Sequence, residues 1–102
     1  TFVANAVQAN ICAMCTTHND AFNKVYNIAF GSATSLNELY QILQKVSQNN
    51  MPANYRDERP GDIKNSLADI SLAKKYLSYN PKVDIDEGLK ITYNWFKETF
   101  GK

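Results

Sequence analysis

The sequence predicts an α+β fold of about four helices with one or two short strands. Three observations predict it. Apolar residues recur at helical spacing in four stretches, two capping boxes mark helix starts, and one run of β-forming residues ends at a glycine.

Val3, Val7, Ile11 and Met14 recur at helical spacing, which predicts an amphipathic helix over residues 3–16 with that face buried. Residues 16–20 are polar and turn-like. Lys24 to Phe30 is rich in β-formers and stops at Gly31, the pattern of a strand with Tyr26, Ile28 and Phe30 on one face. Ser35-Leu-Asn-Glu38 is a capping box, and Leu36, Leu39, Leu43 and Val46 continue as the helix it starts. Residues 48–52 read as a loop, and a short extended piece over 54–56 leads to the Pro60-Gly61 turn. Asp69 can cap a helix with Ile70, Ala73 and Leu77 on its apolar face, and Pro81 ends that region. Asp84-Ile-Asp-Glu87 is the second box. Leu89, Tyr93, Phe96 and Phe100 follow on one face, and Gly101 closes the chain. Two strands alone make a marginal sheet, so this layout would gain from strands supplied by further sequence.

The chain has 102 residues, one domain's worth, with 44% hydrophobic and 21% charged residues, a globular balance. Its net charge of +1 supplies no field to gather nucleic acid or an anionic membrane. No apolar run approaches the roughly 20 residues that cross a bilayer, and no signal-peptide pattern opens the chain. Two cysteines suit a reducing compartment, so a cytoplasmic location is expected. The chain starts at Thr1 without an initiator methionine, as if excised from something longer. Only Asp20, Lys24, Glu38 and Lys45 are charged in residues 1–50. Both arginines, Arg56 and Arg59, fall in Tyr55-Arg-Asp-Glu-Arg-Pro-Gly-Asp62. Arginine's planar fork grips phosphate or carboxylate with two parallel hydrogen bonds, although an exposed charged loop looks the same in composition.

Four motifs could carry chemistry. Cys12-Ala-Met-Cys15 has redox and zinc spacing, but structural zinc takes four ligands and no second pair exists, so core or helix surface is the better reading. Tyr93 and Lys97 match a Tyr-x-x-x-Lys catalytic pair. They lie on the last helix with no strand and Gly-rich loop before them, so the match is chance and Tyr93 and Phe96 should pack inward. His18 has no neighbouring nucleophile and reads as an exposed loop histidine. In Arg59-Pro60-Gly61-Asp62, proline second and glycine third specify a type II turn, whose end Cα atoms lie within about 7 Å. A guanidinium beside a carboxylate suits a nucleotide's diphosphate and ribose, and mutual pairing of the two side chains fits equally well.

Arg59-Pro-Gly-Asp-Ile-Lys-Asn-Ser-Leu-Ala-Asp69, the helix to Leu77, and the Pro81 to Leu89 block resemble the C-terminal, substrate-binding part of extended short-chain dehydrogenase/reductase sugar-nucleotide epimerases. Phe2 to Asn10, Val25 to Ile28 and Thr34 to Leu39 fit the same family in the same order. The nearest resemblance is to bacterial UDP-N-acetylglucosamine 4-epimerases of surface-polysaccharide pathways.

The resemblance implies that Arg59 holds the UDP diphosphate and Asp62 the uridine ribose. It places Ser66 in the sugar pocket, where a tyrosine in some relatives restricts the site to sugars without an N-acetyl group. It implies NAD bound by an N-terminal Rossmann domain that also carries the catalytic residues, leaving none of them here. The implied chemistry is oxidation at the sugar C4, rotation of the keto intermediate and return of hydride to the other face. The expected partners are a UDP-sugar, that N-terminal domain and, for the full protein, a second copy in a homodimer. Ala4 departs from the family's usual acidic residue beside the asparagine matched by Asn5. Competing readings are the same lobe of a nucleotide-sugar dehydratase or decarboxylase, and a helical protein-interaction module without a ligand.

Overall fold

In a computed structural model, which describes residues 1–57, 59–61 and 66–101, the chain forms four α-helices. They are α1 (Val3–Cys15), α2 (Leu36–Ser47), α3 (Ser71–Leu77) and α4 (Ile85–Phe100), with a 3-10 turn at Asn19–Ala21. The helix count and order match expectation. The chain divides into two compact units, Thr1–Ser32 with Leu67–Ile85 and Ala33–Ser66 with Asp86–Lys102.

The first unit holds the core. Ala9 of α1, Ala21 of the 3-10 turn, and Ile70, Ala73, Leu77 and Tyr79 in and around α3 are buried together. The three apolar positions read for α3 are thus its core residues. Asp69 works at the start of this helix: its carboxylate accepts from the Ser71 amide at 2.9 Å and from the Ser71 hydroxyl. The Ser71 hydroxyl, then the amide, hold the Asp69 carboxyl below its ordinary pKa. Ser78 ends α3 in the left-handed region at φ 57°. Gly31 (φ 92°) lies against Ile70, where a Cβ would meet the Ile70 Cδ1 at 3.0 Å.

Two expectations fail in this unit. Residues 24–30 do not form a strand, and none occurs among the described residues, because no second segment offers a backbone ladder. Only its first part keeps the expected alternation: Tyr26 and Ile28 pack on the core while Val25 is 90% exposed, but Ala29 packs there as well. Side chains secure the segment instead. The Tyr79 hydroxyl donates to the Ala29 carbonyl at 2.7 Å and the Tyr26 hydroxyl to the Ala21 carbonyl at 2.6 Å.

The second failure is the facing of α1. Val3, Val7, Ile11 and Met14, expected inside, are 67%, 50%, 55% and 85% exposed. The opposite side, with Asn5, Ala9 and the half-buried Cys12, faces the core. Asn5 explains the choice. Its side chain is 1% exposed, donates to the Val83 carbonyl at 2.7 Å, and accepts from the Lys82 and Val83 amides at 3.2 and 3.1 Å. These bonds reach backbone from that side of the helix alone, and small residues beside Asn5 let α1 approach α3.

In the second unit the Ser35–Glu38 capping box forms in full. The Ser35 hydroxyl accepts from the Glu38 amide at 3.1 Å, and the Glu38 carboxylate accepts from the Ser35 amide at 3.3 Å. Beyond α2 the chain reverses through Gln48 (φ 57°), and Gln44 Nε2 donates to the Met51 carbonyl at 3.0 Å, with the Tyr40 hydroxyl donating to the same oxygen. Helix α4 begins one residue after Asp84, as the second box predicts. Its aromatic face is less covered than expected. Tyr93 is half-buried, but Trp95, Phe96 and Phe100 are more than half exposed and stack with one another at 5.1–5.8 Å. No described helix is long and apolar enough to cross a membrane.

Candidate functional site

The arginine turn forms as its sequence dictates. Pro60 and Gly61 make a turn, and Gly61 takes φ 85°, the value a type II turn demands at its third position. A side chain there has open space but a strained backbone, so the glycine is needed for conformation and not for clearance. Arg59 and Arg56 are exposed, as is Tyr55 at 78%, so the turn presents both guanidinium groups of the chain on one solvent-facing segment. Asp62, the expected carboxylate of the pair, lies outside the described residues. Ser66 is exposed at the end of the second unit.

The segment that follows, from Leu67 to Ser71, lines with Phe30, Gly31 and Lys74 an open cleft of about 380 Å³ within the first unit. This cleft was not legible in any one segment, because it arises where Gly31 meets Ile70. Also unforeseen is the grouping around Tyr76. Lys24 Nζ lies 4.2 Å and Lys75 Nζ 5.1 Å from its ring centroid, and His18 meets the ring edge-on at 5.9 Å. Such ring contacts hold an ammonium by the ring's negative face. The periodicity of a single segment carries no trace of an assembly drawn from three.

Of the other motifs, the two cysteines take the places expected of them, whereas Phe96, expected to pack inward beside Tyr93, is 55% exposed. Cys12 packs on the core and Cys15 lies on the helix surface. Among the described residues no three His, Cys, Asp or Glu side chains group to hold a metal. Tyr93 and Lys97 sit on α4 with no dinucleotide-binding loop in the described chain.

An exposed arginine turn, a small residue after it and a helix with Asp69 at its start follow one another along the chain. No family model matches the chain. Its sequence is nevertheless homologous to the C-terminal part of UDP-sugar 4-epimerases of the short-chain dehydrogenase/reductase family. It is 37% identical over 76 residues to UDP-glucuronate 4-epimerase of Thermodesulfobacterium geofontis, covering 74% of this chain and 24% of that protein. It is 29% identical over 96 residues to UDP-glucose 4-epimerase of Pasteurella multocida, covering 94% and 28%. Among solved structures, Thermotoga maritima UDP-glucose 4-epimerase with UDP-glucose superposes with a TM-score of 0.84 at 35% identity, over 95% of this chain and 30% of that one. UDP-glucuronic acid 4-epimerase from Bacillus cereus, in complex with UDP-glucuronic acid and NAD, gives 0.86 at 28% identity, over 98% and 32%. The chain thus spans about a quarter to a third of the length of these relatives.

Proposed function

We propose that this chain is the nucleotide-sugar-binding part of an NAD-dependent UDP-sugar 4-epimerase, with Arg59 on the diphosphate, Asp62 on the ribose and Ser66 beside the sugar. The observation that carries this reading is the left-handed Gly61 behind Arg59, in a fold shared with UDP-sugar epimerases. A tight bend fixes the guanidinium's origin, and a fixed fork loses less freedom on gripping a pyrophosphate.

The dinucleotide does not fit this chain. Its glycines are Gly31, Gly61, Gly88 and Gly101, and no pair has the spacing of a phosphate-cradling loop between strand and helix. The redox step therefore belongs to an N-terminal Rossmann domain, and the contribution here is to hold the UDP end while the sugar turns. Charge-assisted bonds to a pyrophosphate are worth about 1.5–3 kcal/mol. Titrating the complete epimerase with UDP should accordingly show Arg59→Ala binding roughly 10- to 150-fold more weakly. Equal affinity in both proteins would favour the helical interaction module instead.

We further infer that the sugar is N-acetylated, as in UDP-N-acetylglucosamine and UDP-N-acetylgalactosamine, with a place in surface-polysaccharide synthesis. The support is Ser66, whose small, exposed side chain leaves volume for an acetamido group. Ser66→Tyr should lower kcat/KM for the N-acetyl sugars by ~100-fold while changing that for UDP-glucose by less than ~3-fold, since filling a pocket discriminates by size. Parallel losses on both substrates would remove the specificity assignment and leave the UDP reading in place.

A further inference from the structure

We propose that the grouping around Tyr76 is a site for one phosphate dianion, free or as a monoester, held between Lys24 and Lys75. The proposal goes beyond the UDP reading and does not rest on it. Lys24, Lys75 and Tyr76 belong to the first unit, whereas Arg56 and Arg59 belong to the second. Two like charges converge on this ring. The ammonium nitrogens lie 4.2 and 5.1 Å from its centroid. They therefore stand within about 10 Å of each other, the screening length at ordinary salt, where each still feels the other's charge. Among the described residues neither has a carboxylate partner, and Asp69 of the same unit is taken up by Ser71. Complementing the carbonyl end of α3 accounts for Lys75, which sits in its last turn. It does not account for Lys24, which reaches the ring from another segment.

The three contributing segments are braced against one another. The Thr16 hydroxyl donates to the Tyr76 carbonyl at 2.9 Å and accepts from the His18 amide at 3.3 Å, which ties the His18 loop to α3. Lys24 lies two residues before Tyr26, which packs on the core and donates its hydroxyl to the Ala21 carbonyl. The His18 ring meets Tyr76 edge-on and brings an imidazole N–H to the same ring. Lysines held against an aromatic face lose less freedom on meeting an anion. A phosphate carries about 1.5–2 negative charges at pH 7 over three oxygens, so one group can answer both ammoniums, as a carboxylate's single charge cannot. The chain's net charge of +1 denies it the field that gathers polyanions, which favours a single compact anion.

The test is lysine acetylation of the full-length protein, read site by site by mass spectrometry at constant ionic strength. Lys45, exposed on α2 in the second unit, is the internal reference. Inorganic phosphate and methyl phosphate are titrated separately against chloride. Acetylation of Lys24 and Lys75 should slow at least about 5-fold and saturate, with Lys45 unchanged. Lys24→Gln, a change at an exposed position, should raise the phosphate concentration that half-protects Lys75 by about 10-fold, the loss of one charge-assisted bond. Protection by inorganic phosphate, with or without the ester, upholds a site for the phosphate group itself, and protection by the ester alone upholds a site for a phosphomonoester. Equal slowing at Lys45, or a Lys75 curve unchanged in Lys24→Gln, would overturn the proposal. Because UDP takes no part, a failed UDP titration leaves this result standing.

Discussion

Replacing Tyr79 with alanine should destabilise the protein by ~3–5 kcal/mol, the cost of removing a large aromatic side chain from a packed interior. Among the described residues Tyr79, 1% exposed, is the largest fully buried side chain, and it sits in a core of six buried apolar residues. Its hydroxyl ties the otherwise ladderless segment 24–30 to α3 through the Ala29 carbonyl. Tyr79→Phe separates the two contributions: packing remains and the hydrogen bond is lost, so about 1 kcal/mol is expected. Urea denaturation of both variants checks the pair, and near-equal losses would contradict a packing role.

The same residue predicts an alkaline limit. Burial, and secondarily the nearby Cys12, raise the Tyr79 phenol above its ordinary pKa of 10.0. The neutral form is therefore the one the fold accommodates. Its contribution is fully present below the unfolded pKa and is lost as pH rises through the higher folded value. Stability measured across alkaline pH should fall in wild type above about pH 10, and fall less in Tyr79→Phe.

Replacing Asn5 with alanine is the second large effect, at ~3 kcal/mol or more. The substitution strips partners from two amides and one carbonyl, and each buried polar group left unpaired costs about 1–3 kcal/mol. Asn5→Asp discriminates between shape and hydrogen bonding. It keeps the acceptor for Lys82 and Val83 but sets a carboxylate oxygen against the Val83 carbonyl, so it too should destabilise. Thermal unfolding of the two variants gives the comparison. An Asn5→Asp protein as stable as wild type would show that the Val83 carbonyl bond contributes nothing.

What could be read from the sequence was local. The Ser35–Glu38 box, the start of α4 after Asp84, the apolar face of α3 and the left-handed Gly61 each follow from residues within one turn of one another. What could not be read depended on distant partners. Lys24 to Phe30 has the composition of a strand, yet a strand exists only when another segment pairs with it. Val3 to Met14 has the periodicity of a buried face, and periodicity reports that a face is apolar without reporting what covers it. Asn5 was visible only as a family match, because a lone polar residue on a helix gives no hint that backbone 77 residues away will satisfy it. At the candidate site, the bend was legible from proline and glycine order, whereas the cleft beside Lys74 required Gly31 and Ile70 to meet.

The bonds from Asn5 to Lys82 and Val83 also bear on how the molecule is made. They join the first turn of α1 to a segment made 77 residues later, so α1 waits through that synthesis with its inner polar group unsatisfied. Contacts of such long sequence separation slow folding, and exposed apolar surface invites aggregation in the interval. A nascent chain truncated before Lys82 would leave both sides of α1 uncovered, and chaperone capture should drop sharply once the Pro81 to Val83 stretch has emerged.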